Sequence, residues 1–100
     1  MKTLRVRKFD VAGYLRSDED VAAYLEAVIA EGDGRLLAAA LGDVARARGM
    51  SGIARKTGLA REALYRALSS QGNPELATLI KVLRAMGLRL AVKAADQTST

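Results

Sequence analysis

Nothing constrains this chain more than residues 50–68, MSGIARKTGLAREALYRAL, where two short helical repeats of apolar side chains lie on either side of one glycine. Ile53 and Ala54 are the apolar residues of the first half, Ala63, Leu64, Ala67 and Leu68 those of the second, and Gly58 stands between them. Glycine is the residue that turns a chain sharply after a helix, so the pattern predicts a helix-turn-helix with an apolar inner face. Leu59 is placed to fill the space between the two helices. Arg55, Lys56, Arg61 and Arg66 are left for the outside, and a phosphate backbone is the natural partner of such a surface.

The rest of the composition agrees with small, closely packed helices. One hundred residues, half of them apolar, fit one domain; a chain of this size buries roughly 60 to 65% of its unfolded surface, a thin margin that a partner subunit would widen. Trp is absent and Phe9, Tyr14, Tyr24 and Tyr65 are the only aromatics, which suits helices better than a sandwich or barrel. The fold class expected is therefore mainly α. With no cysteine and no histidine there is no disulfide, no thiol nucleophile, no histidine base and no Cys/His zinc cluster. The acids that follow Ser17 stand at a helix start, where capping and the helix dipole account for them. No enzyme activity, cofactor or metal is expected. No apolar run approaches the roughly 18 residues of a membrane span and no signal segment is visible, so a cytoplasmic protein without a membrane partner is expected.

The net charge of +5 is less informative than its distribution. Residues 1–9 carry four basic side chains and no acid; residues 10–34 carry seven acids against Arg16; residues 44–68 carry six basic residues against Glu62. Signs segregated in this way point to two faces with two partners, or in the acidic part to a solvated surface.

Taken in order, residues 1–9 read as a basic arm or short strand, with Leu4 and Val6 alternating with Arg5 and Arg7. Asp10 can cap a turn over residues 11–15. Ser17 can cap a helix of about 14 residues whose first turn is Asp18, Glu19 and Asp20 and whose apolar stripe is Val21, Tyr24, Leu25, Val28 and Ile29. Gly32 and Gly34 close it, and Asp33 or Gly34 precedes a helix over residues 35–48 with Leu36, Leu37, Ala40, Leu41, Val44 and Ala45 inward. Gly42 inside that helix costs roughly 1 kcal/mol, a cost accepted where another backbone must come close. Arg46 and Arg48 either complement the helix dipole or contact DNA, and Gly49 ends the helix. Ser51 is expected to cap the helix over residues 52–57, and the second helix of the motif to run over residues 61–68. After a loop at 69–72, Asn73 caps and Pro74 opens a helix with Leu76, Leu79, Ile80, Leu83 and Met86 inward, ending at Gly87. Leu88, Leu90 and Val92 then alternate with Arg89, Ala91 and Lys93 as in a short C-terminal strand, with continuation as helix the alternative. Its mate would be the strand of residues 4–7, or a strand of a second subunit. Residues 10–93 thus form one domain, and residues 94–100 a flexible tail.

The helix before the motif, Ala54 four residues ahead of Gly58, Leu59 after it, the Leu64 and Leu68 spacing and the following helix together resemble the bundle of lambda-repressor-like DNA-binding domains. In that geometry the second helix enters the major groove N-terminus first and the first helix crosses the backbone. The resemblance implies Ala60, Arg61, Glu62, Tyr65 and Arg66 as base-reading candidates. Arg61 or Arg66 would pair with guanine, Glu62 would accept from cytosine or orient an arginine, and Ala60 would touch a thymine methyl. A plain Glu62–Arg66 ion pair and packing of Tyr65 at the core edge are the blander alternatives. Ser51, Arg55, Lys56 and Asn73 are the phosphate-contact candidates.

At the level of the whole chain, the runs ALGDVARARGM, GLAREALYRAL and GNPELATLIKVLRAMGLRL resemble the bacterial addiction-module antidote family related to HigA, whose members carry an acidic helix before a lambda-repressor-like domain. The resemblance covers residues 9–92. It implies an antitoxin that binds operator DNA as a homodimer, represses its own operon and neutralises a RelE/ParE-like toxin of the HigB type. Such toxins are basic, which makes Asp18, Glu19, Asp20 and Glu26 the toxin-contact candidates. Two positions depart from the family pattern: Gly52 stands where Gln is usual, and Ala60 where a Ser cap is usual. A stand-alone regulator without a toxin and a helical interaction protein that never binds DNA are the alternatives.

Overall fold

The computed structural model describes residues 17–95. The readings for residues 1–9, Asp10, the turn at 11–15 and the end of the tail at 96–100 lie outside the described residues. Within them the chain forms five helices, α1 (Asp18–Ala30), α2 (Gly34–Arg48), α3 (Met50–Thr57), α4 (Arg61–Ala67) and α5 (Leu76–Ala85).

The first two helices are fixed at their starts by side chains whose chemistry the sequence displays. The Ser17 hydroxyl accepts from the Asp20 amide at 3.1 Å, and the Asp33 carboxylate accepts from the Arg35 and Leu36 amides at 3.0 and 3.4 Å. Each bond satisfies a donor that the first helical turn would otherwise leave without a partner. Between these starts α1 and α2 pack along their apolar stripes, Val21, Leu25 and Val28 against a face that includes Leu41, Val44 and Ala45. The same core takes in Met50 and Ile53 of α3, Leu64 and Leu68 at α4, and Val82, Leu83 and Met86 at α5. No polar or charged side chain is buried among the described residues, so burial of apolar surface holds the bundle together, at roughly 1.5 to 3 kcal/mol for each large side chain removed from water.

Gly42 carries out the role its position predicts. A Cβ built on it would collide with the backbone carbonyl oxygen of Leu68, just beyond α4. The absent side chain lets the end of α4 rest directly on the middle of α2. A second fastening joins three helix ends: the Arg48 guanidinium donates to the Asp18 carboxylate at 2.8 Å and to the Met86 carbonyl at 3.1 Å. Arg46 pairs with Asp43 on its own helix at 2.8 Å. Both arginines of the α2 terminus therefore have partners within the fold.

Several expected details are corrected. Ile29 is half exposed, because Val21, Leu25 and Val28 define the stripe and Ile29 falls on its rim. In α5, Val82 is fully buried while Leu76 and Ile80 are exposed; the buried face is centred on Val82, Leu83 and Met86, which turns the two earlier residues to the edge. The helix also starts later than Asn73 and Pro74 imply. Glu75 is its N-cap, in extended conformation and without a side-chain cap, so Asn73 and Pro74 belong to the connection before the helix. Beyond Gly87 neither strand nor helix forms among the described residues. Leu88 packs on the core, Leu90 is half exposed and Val92 is 94% exposed, so the alternating pattern does not become a half-buried strand within this part of the chain.

The Gly42 contact yields a test. Gly42→Ala gains helix propensity but drives a methyl into the Leu68 carbonyl, and overpacking of this kind costs about 1 to 3 kcal/mol. A lower urea midpoint with an unchanged m-value is expected; a midpoint equal to or above that of the original chain would show that α2 and the end of α4 are not in such contact.

Candidate nucleic-acid interface

The geometry of the motif starts at Gly49, the single residue between α2 and α3. Its φ of 104° and ψ of 98° turn the chain in one step, after which α3 begins at Met50. Ser51 therefore lies inside the first turn and cannot be the cap, which corrects the expected start of the helix; it is exposed, as are Arg55 and Lys56. A Cβ built on Gly52 would meet the Arg55 guanidinium at 3.8 Å, an ordinary van der Waals contact.

The turn itself is held at Gly58, in the left-handed conformation at φ 77° and ψ 12°. Its amide donates to the Ala54 carbonyl at 2.9 Å, and a residue with a Cβ would be strained there. Thr57 completes the turn. Its hydroxyl donates to the Ile53 carbonyl at 2.8 Å and accepts from the Leu59 amide at 3.2 Å. The contribution of Thr57 went unread in the sequence, although a hydroxyl residue just before a turn glycine is a local signal for it. Leu59 then packs against the core between the two helices, as its position predicts.

At the start of α4, Ala60 has the extended backbone of an N-cap, φ −69° and ψ 142°, but no side chain able to accept from the first turn. A seven-residue helix without a cap has little intrinsic stability. Its place is set by Leu64 and Leu68, both essentially without exposure to solvent. Opposite them Ala60, Arg61, Glu62, Tyr65 and Arg66 are exposed. The Arg61 guanidinium lies over the Tyr65 ring, 5.7 Å from its centre, a cation–π contact worth about 0.5 to 1 kcal/mol at an exposed site. Tyr65 is thus neither packed away at the core edge nor free. Arg66 makes no ion pair with Glu62, so its charge is available.

After α4 the Ser69 hydroxyl donates to the Arg66 carbonyl at 3.0 Å and accepts from the Gln71 amide at 3.3 Å. Gly72 folds back so closely that a Cβ there would strike the carbonyls of Arg66 and Ala67. Nothing in the sequence distinguishes this glycine from an ordinary loop glycine. The fold-back forms an open groove of about 400 Å³ in which Arg66 and Asn73 come together with Gln71, Glu75 and Thr78. A base-reading candidate and a phosphate-contact candidate thereby share one edge, while Lys56 lines a different groove with Lys81 and Arg84.

The acidic candidates stand on α1, which packs on α2. Asp18, Glu19, Asp20 and Glu26 are all exposed, but Asp18 is already held by Arg48. Glu19 and Glu26 have no such tie among the described residues.

Ala60 gives a second test, since its backbone already has the geometry that a capping hydroxyl needs. Ala60→Ser should raise unfolding stability by about 0.5 to 1 kcal/mol; an unchanged urea midpoint would show that the α4 start is not limited by its missing cap.

Among curated proteins, one from Haemophilus influenzae described as "Uncharacterized protein" is 47% identical over 91 residues, 91% of this chain and 94% of that protein. No solved structure matches. Among the described residues no helix is long and apolar enough to cross a membrane. The family described as "Probable addiction module antidote protein" matches residues 5–94, and over that length the chain belongs to it, an antidote of a toxin–antitoxin module and a regulatory protein without catalytic activity.

Proposed function

We propose that this antidote is a sequence-specific DNA-binding repressor of its own operon, acting as a homodimer through a lambda-repressor-like helix-turn-helix, and that it neutralises a RelE/ParE-like toxin. The observation that carries the DNA-binding part is the outward face of α4. Arg61, Tyr65 and Arg66 are exposed on a helix that Leu64 and Leu68 anchor in the core and that Gly42 seats against α2. An anchored helix with cations and a ring on its free side is what major-groove readout requires.

In this reading α4 enters the groove with Ala60 and Arg61 leading. The Arg61 guanidinium rests over the Tyr65 ring, which reduces the side-chain entropy lost when it meets a guanine edge. Arg66 and Asn73 follow along the flanking backbone, and Ser51, Arg55 and Lys56 supply sequence-independent contacts from α3. One copy of so short a helix reads few base pairs. Two-fold pairing on a palindrome doubles the readout and is the reason for proposing a homodimer.

Toxin binding is assigned to the opposite sign of charge, on α1. Because Asp18 is engaged with Arg48, Glu19 and Glu26 are the residues expected to steer a basic toxin.

Two measurements separate the halves of this proposal. Arg61→Ala should weaken binding to the upstream region of the chain's own gene by roughly 1 to 3 kcal/mol and relax the preference at one base pair. Equal losses on that fragment and on random duplex would remove Arg61 from base readout. Reversing Glu19 and Glu26 to Lys should slow association with the co-expressed toxin at low salt and leave DNA binding intact; an unchanged on-rate would take α1 out of that role.

A further inference from the structure

Two cations on α5, Lys81 and Arg84, are not absorbed by the helix-turn-helix, yet they share a groove with Lys56 of its first helix. In the groove of about 310 Å³ between the ends of α3 and α5, the lining residues are Lys56, Thr57, Lys81, Arg84 and Ala85. Three cations line it and no acid does. Three arginines elsewhere have partners within the fold: Arg46 has Asp43, Arg48 has Asp18 and the Met86 carbonyl, and Arg61 has the Tyr65 ring. The side chains of Lys56, Lys81 and Arg84 have no hydrogen bond, ion pair or ring contact among the described residues.

The helix dipole explains part of the cluster. Lys56 and Arg84 belong to the last turns of their helices, where a cation is favourable. Lys81 lies a turn earlier in α5, and the dipole gives no reason for it to share the groove. Like charges gathered without an intervening acid repel one another, and a polyanion relieves that repulsion.

Position decides which polyanion. Lys56 is five residues from Arg61, so the two Cα atoms are at most about 18 Å apart however the turn is drawn. That is about five base pairs of duplex, half a helical turn, and phosphates recur along each strand every 3.4 Å or so of axis. A helix that places Arg61 in a groove therefore carries Lys56 to within the span of the flanking backbone.

We propose that the groove of Lys56, Lys81 and Arg84 takes phosphodiester groups of the same duplex that α4 engages, with Lys81 and Arg84 as phosphate contacts from α5. The inference rests on the DNA-binding reading above. Its signature is distinct from that of α4: contacts to phosphate tighten binding to every sequence and carry the salt dependence, without altering preference.

The test compares the full chain with a Lys81→Gln, Arg84→Gln double variant on two duplexes of equal length, the upstream region of its own gene and a random sequence, over a salt series. Both residues are exposed, and circular dichroism checks that the variant folds. Dissociation constants for both duplexes are expected to rise together, by about ten- to a hundredfold at 0.1 M salt, and the slope of log affinity against log salt to shrink by about two. The charge-conserving Lys81→Arg, Arg84→Lys variant should restore both.

If the original chain prefers its upstream fragment and the double variant matches it in affinity and slope, the groove proposal falls while the DNA-binding reading stands. Retained DNA binding with weakened binding to an acidic protein would likewise overturn it and give the groove to that partner. A loss confined to the upstream fragment would overturn the phosphate assignment in favour of sequence readout. If the original chain shows no preference for the upstream fragment, the reading of sequence-specific DNA binding fails, and the groove proposal with it.

Discussion

The contact on which the rest of the structure depends is the meeting of two backbones at Gly42, where the carbonyl of Leu68 occupies the space a side chain would fill. α4 is seven residues long and lacks a side-chain cap, so on its own it would not hold a helical conformation in water. Its order comes from below: Leu64 and Leu68 in the core, the glycine of α2 at its end, and Gly72 folded against the carbonyls of Arg66 and Ala67. A helix held in this way is stable only as part of the bundle, and the direction in which its free face points is set by α2 and the loop rather than by α4 itself.

This dependence explains which parts of the fold could be read from the sequence. Where structure follows from a side chain acting locally, the residues announce it: Ser17 and Asp33 cap their helices, Gly58 takes the left-handed turn, and Leu59 fills the gap behind it. Gly42 was readable too, because a glycine inside an otherwise strong helix needs a reason and close approach is the usual one. The readings that failed concern competition between neighbours. Ser51 is a good cap in isolation, but Gly49 had already turned the chain, and the helix was under way at Met50. Asn73 and Pro74 are good helix openers, yet the chain remains outside a helix until Glu75, whose extended backbone precedes the first turn.

The same distinction runs through the candidate site. That Arg61, Glu62, Tyr65 and Arg66 would share the free side of α4 follows from helical spacing once Leu64 is placed inside. What spacing could not supply was their pairing. Glu62 and Arg66, one turn apart and of opposite charge, do not pair, whereas Arg61 and Tyr65 at the same separation do meet. An exposed ion pair is worth only a few tenths of a kcal/mol, too little to fix two flexible side chains against solvent. A guanidinium on a ring keeps its edge donors free while its face is occupied. Arg61 is consequently steadied without being consumed.

Charge in this protein is thus divided according to whether the fold has spent it. Asp18 and Arg48 are held in a pair that fastens helix ends, and Asp43 and Arg46 in a pair along α2, so their contribution to any external field is largely cancelled at short range. Among the charges that remain, Glu19 and Glu26 on α1 and the cations of α3, α4 and α5 are able to act on a partner. Sequence counting treats Asp18 and Glu19 alike, and Arg48 and Arg61 alike. Only the packing of the α1 start against the ends of α2 and α5 separates the pairs, by bringing Asp18 and Arg48 to each other. The segregation seen along the chain therefore becomes sharper in three dimensions, because the residues neutralised within the fold include the basic end of α2, which would otherwise have joined the acidic helix to the basic motif.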